Sequence, residues 1–337
     1  MRPWYIDQPD VELLRKFKFI QNQEDERLRE ATIVTADVEV EKRWSLGVSI
    51  LEKNDARNRY VNIMPYERNR VKLKVVNPRI NNDYINASYV KVDVPEQSMN
   101  PGYYIATQGP TKNTWQQFWQ MCYNECNHGD IVIVMVTPLV EYNREKCYKY
   151  WPSSPKEGIF VSPKLQNPSG LDGDVSEFRD ELSIEYIDSE RIDDTYTYTK
   201  LKIVSQGGSE KNVHHFYFDQ WRDMSKPEEI VPIMKLCEHS HGLNPRGNPI
   251  IVHCSAGVGR SGTFIALDHL VHDTRDFKNV SEFPTIQQLR KPLADYKRDL
   301  IEQIVLQLRS QRMKMVQMKD QYIFIYHAAK YLYDMIA

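Results

Sequence analysis

The sequence predicts a single α/β domain in which helices flank a highly twisted, mixed β-sheet. Two unbroken apolar runs, at 131–136 and 249–252, are typical of strands that are buried on both faces. Apolar residues recur at helical spacing near both ends of the chain, and strand-like and helix-like segments are mixed throughout. Since no repeat or low-complexity tract divides the 337 residues, we expect one domain.

The amino-terminal part predicts helices followed by antiparallel strands. Apolar residues recur at near-helical spacing over 10–32, so residues 1–35 should form helices packed on a main domain at 36–337. Short β-rich pieces alternate with turn residues from 61 to 106, which favours antiparallel strands, and 111–126 predicts a helix.

The remaining segments complete this arrangement. They are a Pro-, Ser- and Gly-rich surface excursion at 153–174, strands at 195–204 and 213–218, an aperiodic stretch at 276–296, and helices at 264–271, 297–312 and 319–335. Gly207 and Gly208 suit a hairpin turn between the two strands. The apolar run at 249–252 leads into a Gly-containing loop and then a helix, so this loop should lie between a buried strand and a helix.

Residue composition and charge exclude several classes of protein. The chain is 41% hydrophobic and 27% charged, which is the balance of a globular protein with a large core. A net charge of -2 gives no overall field for nucleic acid or an acidic membrane, so neither is expected as a partner. Five cysteines, no signal-peptide pattern and no apolar run of membrane-spanning length predict reduced thiols and a cytoplasmic protein.

The loop from Cys254 to Arg260 has the length and composition of a cradle for one tetrahedral anion. Its backbone N–H groups come from five consecutive residues, Ser255, Ala256, Gly257, Val258 and Gly259. The two glycines permit the backbone angles of such a nest, and a helix that starts near Arg260 adds the positive end of its dipole. We therefore expect a phosphoryl dianion to bind here, clamped by the planar guanidinium of Arg260.

Cys254 is predicted to be the nucleophile of this loop. The positive potential should lower the pKa of its thiol below the ordinary value of about 8.5, which leaves a thiolate at neutral pH. Attack on phosphorus would form a phosphocysteine, and the Ser261 hydroxyl could hydrogen-bond the sulfur as it leaves. A His-Cys-x-x-Gly-x-x-Arg-Ser pattern, which begins here at His253, arises by chance at about one position in ten million. A catalytic role for Cys254 is therefore favoured over the role of a buried core residue.

Residues 253–264, HCSAGVGRSGTF, resemble the signature loop of the tyrosine-specific protein tyrosine phosphatases. Further motifs of that family stand in the same order over about residues 50–335: NRYVN, DYINAS, TQGP, EYNREKCYKYWP, WRD and QMKDQ. The arrangement, with its amino-terminal helices, is most similar to the single-domain cytosolic members of budding yeasts. The resemblance implies an enzyme that hydrolyses phosphotyrosine in proteins through a phosphocysteine.

The resemblance also implies catalytic roles outside the loop. Asp223 matches the general acid that protonates the phenolate leaving group, and it follows Trp221, a bulky anchor about which a loop could close. The other carboxylate of this segment, Asp219, ends a predicted strand and is disfavoured. Gln317 matches the glutamine that positions the hydrolytic water, and Gln321 matches the second glutamine of that pair.

Three further residues match supporting positions of the family. Glu141 corresponds to a glutamate that pairs with the loop arginine, and Lys146 to a lysine near the general acid. Tyr60 corresponds to an aromatic residue that stacks on the substrate ring and makes the pocket deep. The resemblance therefore implies specificity for phosphotyrosine, since phosphoserine is too short to reach Cys254.

The chain departs from the family pattern at three positions. The general-acid segment has Arg222 and Ser225 where the family usually has proline and glycine, which changes the expected mobility of the loop. Asn62 stands where many members carry an aspartate that binds the peptide backbone. Asn62 is therefore expected to contact substrate with a different affinity.

No metal and no cofactor are expected. Cys237, His239 and His241 have ligand-like spacing, but the single cluster lacks the second pair that a structural zinc site normally needs. Cys122 and Cys126 stand four residues apart on a predicted helix and should share a packing face.

Two other classes of protein remain as alternatives. One is a catalytically inactive phosphotyrosine-binding module on the same fold, which the joint presence of Cys254, Arg260 and Asp223 disfavours. The other is a different user of a Cys-x5-Arg loop, such as a dual-specificity phosphatase, an arsenate reductase or a rhodanese-like enzyme. The NRYVN and TQGP segments and the late position of the loop disfavour this second class.

Overall fold

The computed structural model describes residues 2–32, 43–161, 177–221, 230–277 and 298–336. Within these ranges the helices are α1 Asp10–Thr32, α2 Trp115–Glu125, α3 Ile230–Leu243, α4 Gly259–Asp273, α5 Leu300–Gln311 and α6 Lys319–Ile336. The strands are β1 Arg70–Lys72, β2 Tyr84–Val92, β3 Gly102–Thr107, β4 Asp130–Met135, β5 Val140–Glu141, β6 Arg144–Glu145, β7 Ile159–Val161, β8 Leu182–Ile192, β9 Tyr196–Ser205, β10 Glu210–Phe218 and β11 Ile250–His253. Four short 3-10 helices precede β1 in the described part of the chain.

Nine of these strands form one mixed sheet in the order β1-β2-β3-β11-β4-β10-β9-β8-β7. The four central strands, β3, β11, β4 and β10, are parallel to one another, and the flanking pairs are antiparallel. The small β5-β6 hairpin stands apart from the sheet. One mixed sheet with a hydrophobic core on each face confirms the predicted fold class.

The two apolar runs form neighbouring strands at the centre of the sheet. Along β4, Val132 and Val134 face one hydrophobic core while Ile131 and Ile133 face the other. Because both faces of the strand are covered, its residues do not alternate between apolar and polar, and the apolar run is continuous. The carboxyl end of β11 therefore lies in the middle of the molecule. Helix α4 begins a few residues later, and nearly all of its residues are buried.

The amino-terminal helix packs on the last two helices. Glu24 of α1 and Arg309 of α5 form an ion pair of 2.8 Å with no exposed side-chain surface on either residue. Lys16 lies 2.9 Å from the carboxylate of Asp299, which caps the start of α5. The expected boundary near residue 35 falls between the described ranges, so that division stays a prediction.

Several elements differ from the sequence expectations. Strand β8 was not predicted, because its outer half is exposed and rich in charged residues, which hides the alternation of a buried strand. Helix α3 was also missed, since it follows Pro227 and contains Pro232 and Gly242. The helix expected at 111–126 begins only at Trp115, after a turn in which the backbone N–H of Thr111 donates to the Thr114 hydroxyl.

The predicted surface excursion at 153–174 is described only as far as residue 161, and there Ile159–Val161 form strand β7 of the sheet, which corrects that part of the prediction. The rest of it, and nearly all of the aperiodic stretch at 276–296, lie outside the described residues. No helix in the described part of the chain is long and apolar enough to cross a membrane.

Candidate active site

The loop between β11 and α4 sits at the carboxyl end of the central strands. Gly257 adopts a φ of +78°, and a Cβ atom there would lie 2.2 Å from the carbonyl oxygen of Thr107 at the end of β3. A side chain at this position is therefore excluded both by backbone conformation and by space. The glycine lets the loop pass close to the end of β3 and turn back, so that a short curl of chain brings the N–H of Gly257 to the sulfur of Cys254.

Cys254 lies inside that curl, where its sulfur accepts a hydrogen bond of 3.2 Å from the backbone N–H of Gly257. Burial alone would raise the pKa of this thiol. The Ser261 hydroxyl, the charge of Arg260 and the backbone N–H groups of Ser261 and Gly257 outweigh burial and lower the pKa below its ordinary value. Within the described ranges the buried Ser261 hydroxyl has no other hydrogen-bond partner, so it is available to the sulfur.

Arg260 is held from the side by two residues that follow β4. Its guanidinium donates to the Glu141 carboxylate at 2.6 Å and to the Thr137 hydroxyl at 3.2 Å, and the side chain is one-fifth exposed. The expected pairing of Glu141 with the loop arginine is present in this geometry, while Thr137 was not foreseen. Because two of its donors are engaged, the guanidinium has a fixed orientation beside the thiol.

A buried chain of hydrogen bonds supports the loop from beneath. The Tyr150 hydroxyl lies 2.7 Å from His253 Nε2 and 2.8 Å from His215 Nε2, and His253 Nδ1 lies 3.0 Å from the Cys254 carbonyl. Burial lowers the pKa of His253 to about 4, so this ring is neutral at physiological pH. A neutral His253 donates a hydrogen bond from Nδ1 to the Cys254 carbonyl, and its Nε2 accepts a hydrogen bond from the Tyr150 hydroxyl. His253 thus orients the backbone of the nucleophile without adding charge.

Arg312 supports the loop from behind and was missed by the sequence analysis. Its fully buried guanidinium donates to the carbonyls of Gly257 at 2.9 Å and Ala256 at 3.0 Å, and also to Asn86 and Ser88 of β2. Burial lowers its pKa to about 10, so it remains charged at neutral pH. Arg312 thus holds the Gly257 carbonyl on one side of the loop, while the Gly257 N–H points to the sulfur of Cys254 on the other. The signal was a pair of arginines, Arg309 and Arg312, among apolar residues at the end of a predicted helix.

The other predicted residues surround the loop. Tyr60 is half-buried, with its hydroxyl 2.7 Å from the Ser255 hydroxyl. A Cβ atom on Gly259 would lie 3.1 Å from the Gln321 side chain and 3.4 Å from Gln317 Cβ, so both glutamines flank the start of α4. Asn62 is exposed two residues beyond Tyr60.

The general-acid segment is described only in part. Asp223, Arg222 and Ser225 lie outside the described residues. Trp221 is the last residue before that gap, and it is buried near Phe324 of α6. Lys146 is half-buried just after the β5-β6 hairpin.

Two features that the sequence left open have other partners in the structure: the carboxylate of Asp219, and the run of possible metal ligands from Cys237 to His241. Asp219 accepts a hydrogen bond of 3.3 Å from Arg191 at the edge of the sheet. Cys237, His239 and His241 do not converge: Cys237 is buried, His239 contacts Tyr196, and His241 contacts Asp268. Cys122 and Cys126 share one hydrophobic core, in agreement with the expected packing face.

The chain is similar to known proteins over most of its length. The family model for protein-tyrosine phosphatase matches residues 54–331. The chain is 65% identical over 334 residues to Tyrosine-protein phosphatase 1 of Saccharomyces cerevisiae, covering 98% of this chain and 97% of the relative. It is 34% identical over 336 residues to Tyrosine-protein phosphatase 1 of Schizosaccharomyces pombe, covering 97% of this chain and 51% of the relative.

Among solved structures, the fold is similar to the catalytic domain of human protein tyrosine phosphatase non-receptor type 18. That comparison has a TM-score of 0.70 and 25% identity, and it covers 97% of each chain.

Proposed function

Since the chain belongs to the protein-tyrosine phosphatase family, we propose that Cys254, Arg260 and Asp223 perform its reaction. The reaction itself is the hydrolysis of phosphotyrosine in proteins, as the sequence motifs predicted. Cys254 is the nucleophile, Arg260 holds the phosphoryl oxygens, and Asp223 is the general acid.

In the first step, the thiolate of Cys254 attacks phosphorus. The S–P bond forms as the bond from phosphorus to the tyrosyl oxygen breaks, and Asp223 gives its proton to the departing phenolate. The phenol of tyrosine has a pKa of about 10, so protonation aids its departure. The guanidinium of Arg260, fixed by Glu141 and Thr137, follows the charge that develops on the equatorial oxygens.

In the second step, water attacks the phosphocysteine. Gln317 positions this water, and the ionised Asp223 takes its proton. The S–P bond breaks, and the leaving sulfur is stabilised by the Ser261 hydroxyl and the Gly257 N–H, the same groups that lower its pKa in the free enzyme. Inorganic phosphate leaves, and the enzyme returns with its thiolate and a protonated Asp223.

The walls of the pocket select phosphotyrosine proteins as substrates. Tyr60 stands beside Ser255 at the rim of the loop, where its ring can stack on the substrate ring and add depth. Asn62, exposed next to it, contacts the peptide backbone, and Gln321 contributes at the start of α4. Lys146 and Trp221 support the loop that carries Asp223.

A cytoplasmic location suits this chemistry. All five cysteines are free and buried in the described fold, which fits a reducing compartment. The reacting groups form a complete set without a metal ion or cofactor, and the net charge of -2 gives no reason to expect nucleic acid or a membrane surface as a partner.

The observation that carries this proposal is the buried thiol of Cys254, which accepts a hydrogen bond from the Gly257 N–H beside a guanidinium that Glu141 and Thr137 hold in place. A deciding experiment compares turnover of a phosphotyrosine peptide with that of the matched phosphoserine peptide, both in the presence of a chelator. Hydrolysis of the phosphotyrosine peptide alone is expected. Hydrolysis of neither would indicate a binding module, and hydrolysis of both would indicate a dual-specificity enzyme.

A further inference from the structure

A second cluster of chemically active side chains lies near the far end of α4, away from the phosphate loop. Asp268 and His272 stand one turn apart on α4, and His241 approaches them from α3. One potential ligand atom from each of the three residues lies within 4.8 Å of the others. Asp268 is fully buried, His272 is 10% exposed, and His241 is 35% exposed.

Two buried atoms of this cluster have no hydrogen-bond partner among the described residues. They are Asp268 Oδ1 and His272 Nε2, which face each other at 3.7 Å. The other carboxylate oxygen of Asp268 accepts from the Tyr104 hydroxyl at 2.5 Å and lies 3.1 Å from His241 Nδ1. Buried polar atoms without a partner destabilise a fold, so this pair is an unfavourable arrangement unless something binds between them.

The two unpartnered atoms that face each other are a carboxylate oxygen and an imidazole ring nitrogen. When the other ring nitrogen of His272 holds the proton, both facing atoms offer lone pairs, and a cation satisfies both at once.

We propose that His241, Asp268 and His272 bind a divalent transition-metal ion of the Zn²⁺ type. Two imidazoles and one carboxylate, with water in a fourth position, form a donor set that such ions accept in proteins. The Tyr104 hydroxyl orients the carboxylate, as groups outside the ligand set commonly do in metal sites.

Some movement accompanies binding. Metal–ligand distances near 2 Å require the three ligand atoms to draw together. The rings of His241 and His272 are stacked 3.9 Å apart and nearly parallel, so one ring must tilt for both lone pairs to converge. His241 is the ring with room to tilt, because it is one-third exposed. That exposure also gives the ion its route from solvent.

This proposal revises the expectation of no metal site. Local spacing groups His241 only with its neighbours Cys237 and His239, whereas its partners in the fold stand about 30 residues later on another helix. A bound ion would tie α3 to α4, the helix that begins at the phosphate loop. Its role is structural, since Cys254 needs no metal for its chemistry.

The test uses the whole chain carrying Cys254→Ser, because a reactive thiolate would itself bind a soft metal ion. After chelator treatment and dialysis, Zn²⁺ is titrated by calorimetry and Co²⁺ by visible absorption. One equivalent is expected to bind with a dissociation constant in the micromolar range or below, to raise the melting temperature, and to give the intense absorption of a tetrahedral Co²⁺ site.

The ligand variants and a matched control decide the location. Added separately to the Cys254→Ser chain, His272→Gln and His241→Gln should each weaken binding by at least about tenfold. His327→Gln should change nothing, although His327 also lies close to an aspartate, at 3.2 Å from Asp10. His241→Gln keeps the test valid if the more buried His272 variant fails to fold. Absence of saturable binding, or equal affinity in the folded His241→Gln chain, would overturn the proposal.

Discussion

The two halves of helix α4 lie in opposite chemical environments, although both are buried. Where the helix begins, Arg260 and the loop N–H groups surround the sulfur of Cys254. Further along, near Asp268, the environment is carboxylate and imidazole. The helix dipole favours an anion where α4 begins and a cation toward its end. The side chains therefore reinforce a polarity that the backbone already has.

Two fully buried cysteines show how strongly these environments differ. Burial and the nearby Asp268 carboxylate raise the pKa of Cys237 well above its ordinary value. At Cys254 burial acts in the same direction, yet the donors around it reverse the result and lower the pKa. Reactivity of a buried thiol is thus decided by the donors that face it.

The largest predicted effect comes from removing the nucleophile. Cys254→Ser should lower turnover by more than about a thousandfold, because a serine hydroxyl is not ionised here. Binding of a phosphotyrosine peptide should persist, since the loop N–H groups and Arg260 remain. Arg260→Ala should lose both binding and turnover. Calorimetric binding and steady-state assays on the two variants check this, and substantial turnover by Cys254→Ser would refute a covalent mechanism.

The next effect concerns the general acid. Asp223→Ala should lower turnover of phosphotyrosine by about 10²- to 10⁴-fold, and far less for an aryl phosphate whose leaving group is already acidic. Asp219→Ala is the matched control, because Asp219 pairs with Arg191 at the sheet edge. The alkaline limb of the pH profile should vanish only in Asp223→Ala. Loss of that limb in Asp219→Ala instead would reverse the assignment.

A third effect tests the support that α1 gives to the active site. Glu24 accepts hydrogen bonds from Arg309 and from the backbone N–H of Lys314, and Arg309 in turn holds the carbonyl of Val316 beside Gln317. Glu24→Gln should destabilise the fold by about 3–5 kcal/mol, because it leaves the buried Arg309 charge uncompensated. Denaturant unfolding measures this change.

The control for Glu24 is an ion pair on the outside of the same helix. Glu12 pairs with Arg15 at the surface, where solvent screens the interaction. Glu12→Gln should leave stability unchanged within error. Equal effects of the two substitutions would mean that the Glu24–Arg309 pair is not a buried anchor of α1.

The smallest predicted effect is the pH dependence of thiol alkylation. A free thiol loses about 20-fold in alkylation rate between pH 8 and pH 6.5, because its thiolate is protonated below a pKa of about 8.5. With its pKa lowered, Cys254 should lose less alkylation rate over that range than a free thiol does, and phosphate should protect it. Cys237 should not react in the folded protein. Mass spectrometry that found modification mainly at Cys237 would contradict the comparison of the two thiols.

Contiguous segments of sequence predicted the strand, the loop and the helix around the start of α4. The residues from His253 to Ser261 carry a pattern whose spacing alone implies an anion cradle, and the apolar runs beside it indicate central strands. Glu141 and Tyr60, expected from the family resemblance, contact Arg260 and Ser255 directly. The strand–loop–helix geometry and the pairing of Glu141 with Arg260 could be predicted because they are local or because a known motif encodes them. Anion binding by the loop and the stacking role of Tyr60 stay predictions.

The remaining features depend on contacts that no local pattern encodes. Arg312 reaches the loop from about 55 residues away, and His241 meets Asp268 only because α3 packs on α4. Strand β8 is half-exposed, so its alternation is weak. The sequence hints at such contacts where charged residues such as Arg309 and Arg312 stand among apolar residues of a predicted helix, since a charge buried there must have partners.

The most direct test of the central claim is to find where phosphate resides during turnover. Gln317→Ala enzyme, in which hydrolysis of the intermediate should be slowed, is mixed with excess phosphotyrosine peptide and quenched within the first turnover. Peptide mass spectrometry should then locate one phosphate on the peptide that contains Cys254, with none in the Cys254→Ser chain. Phosphate on any other residue, or product release without a labelled enzyme, would contradict nucleophilic catalysis by Cys254.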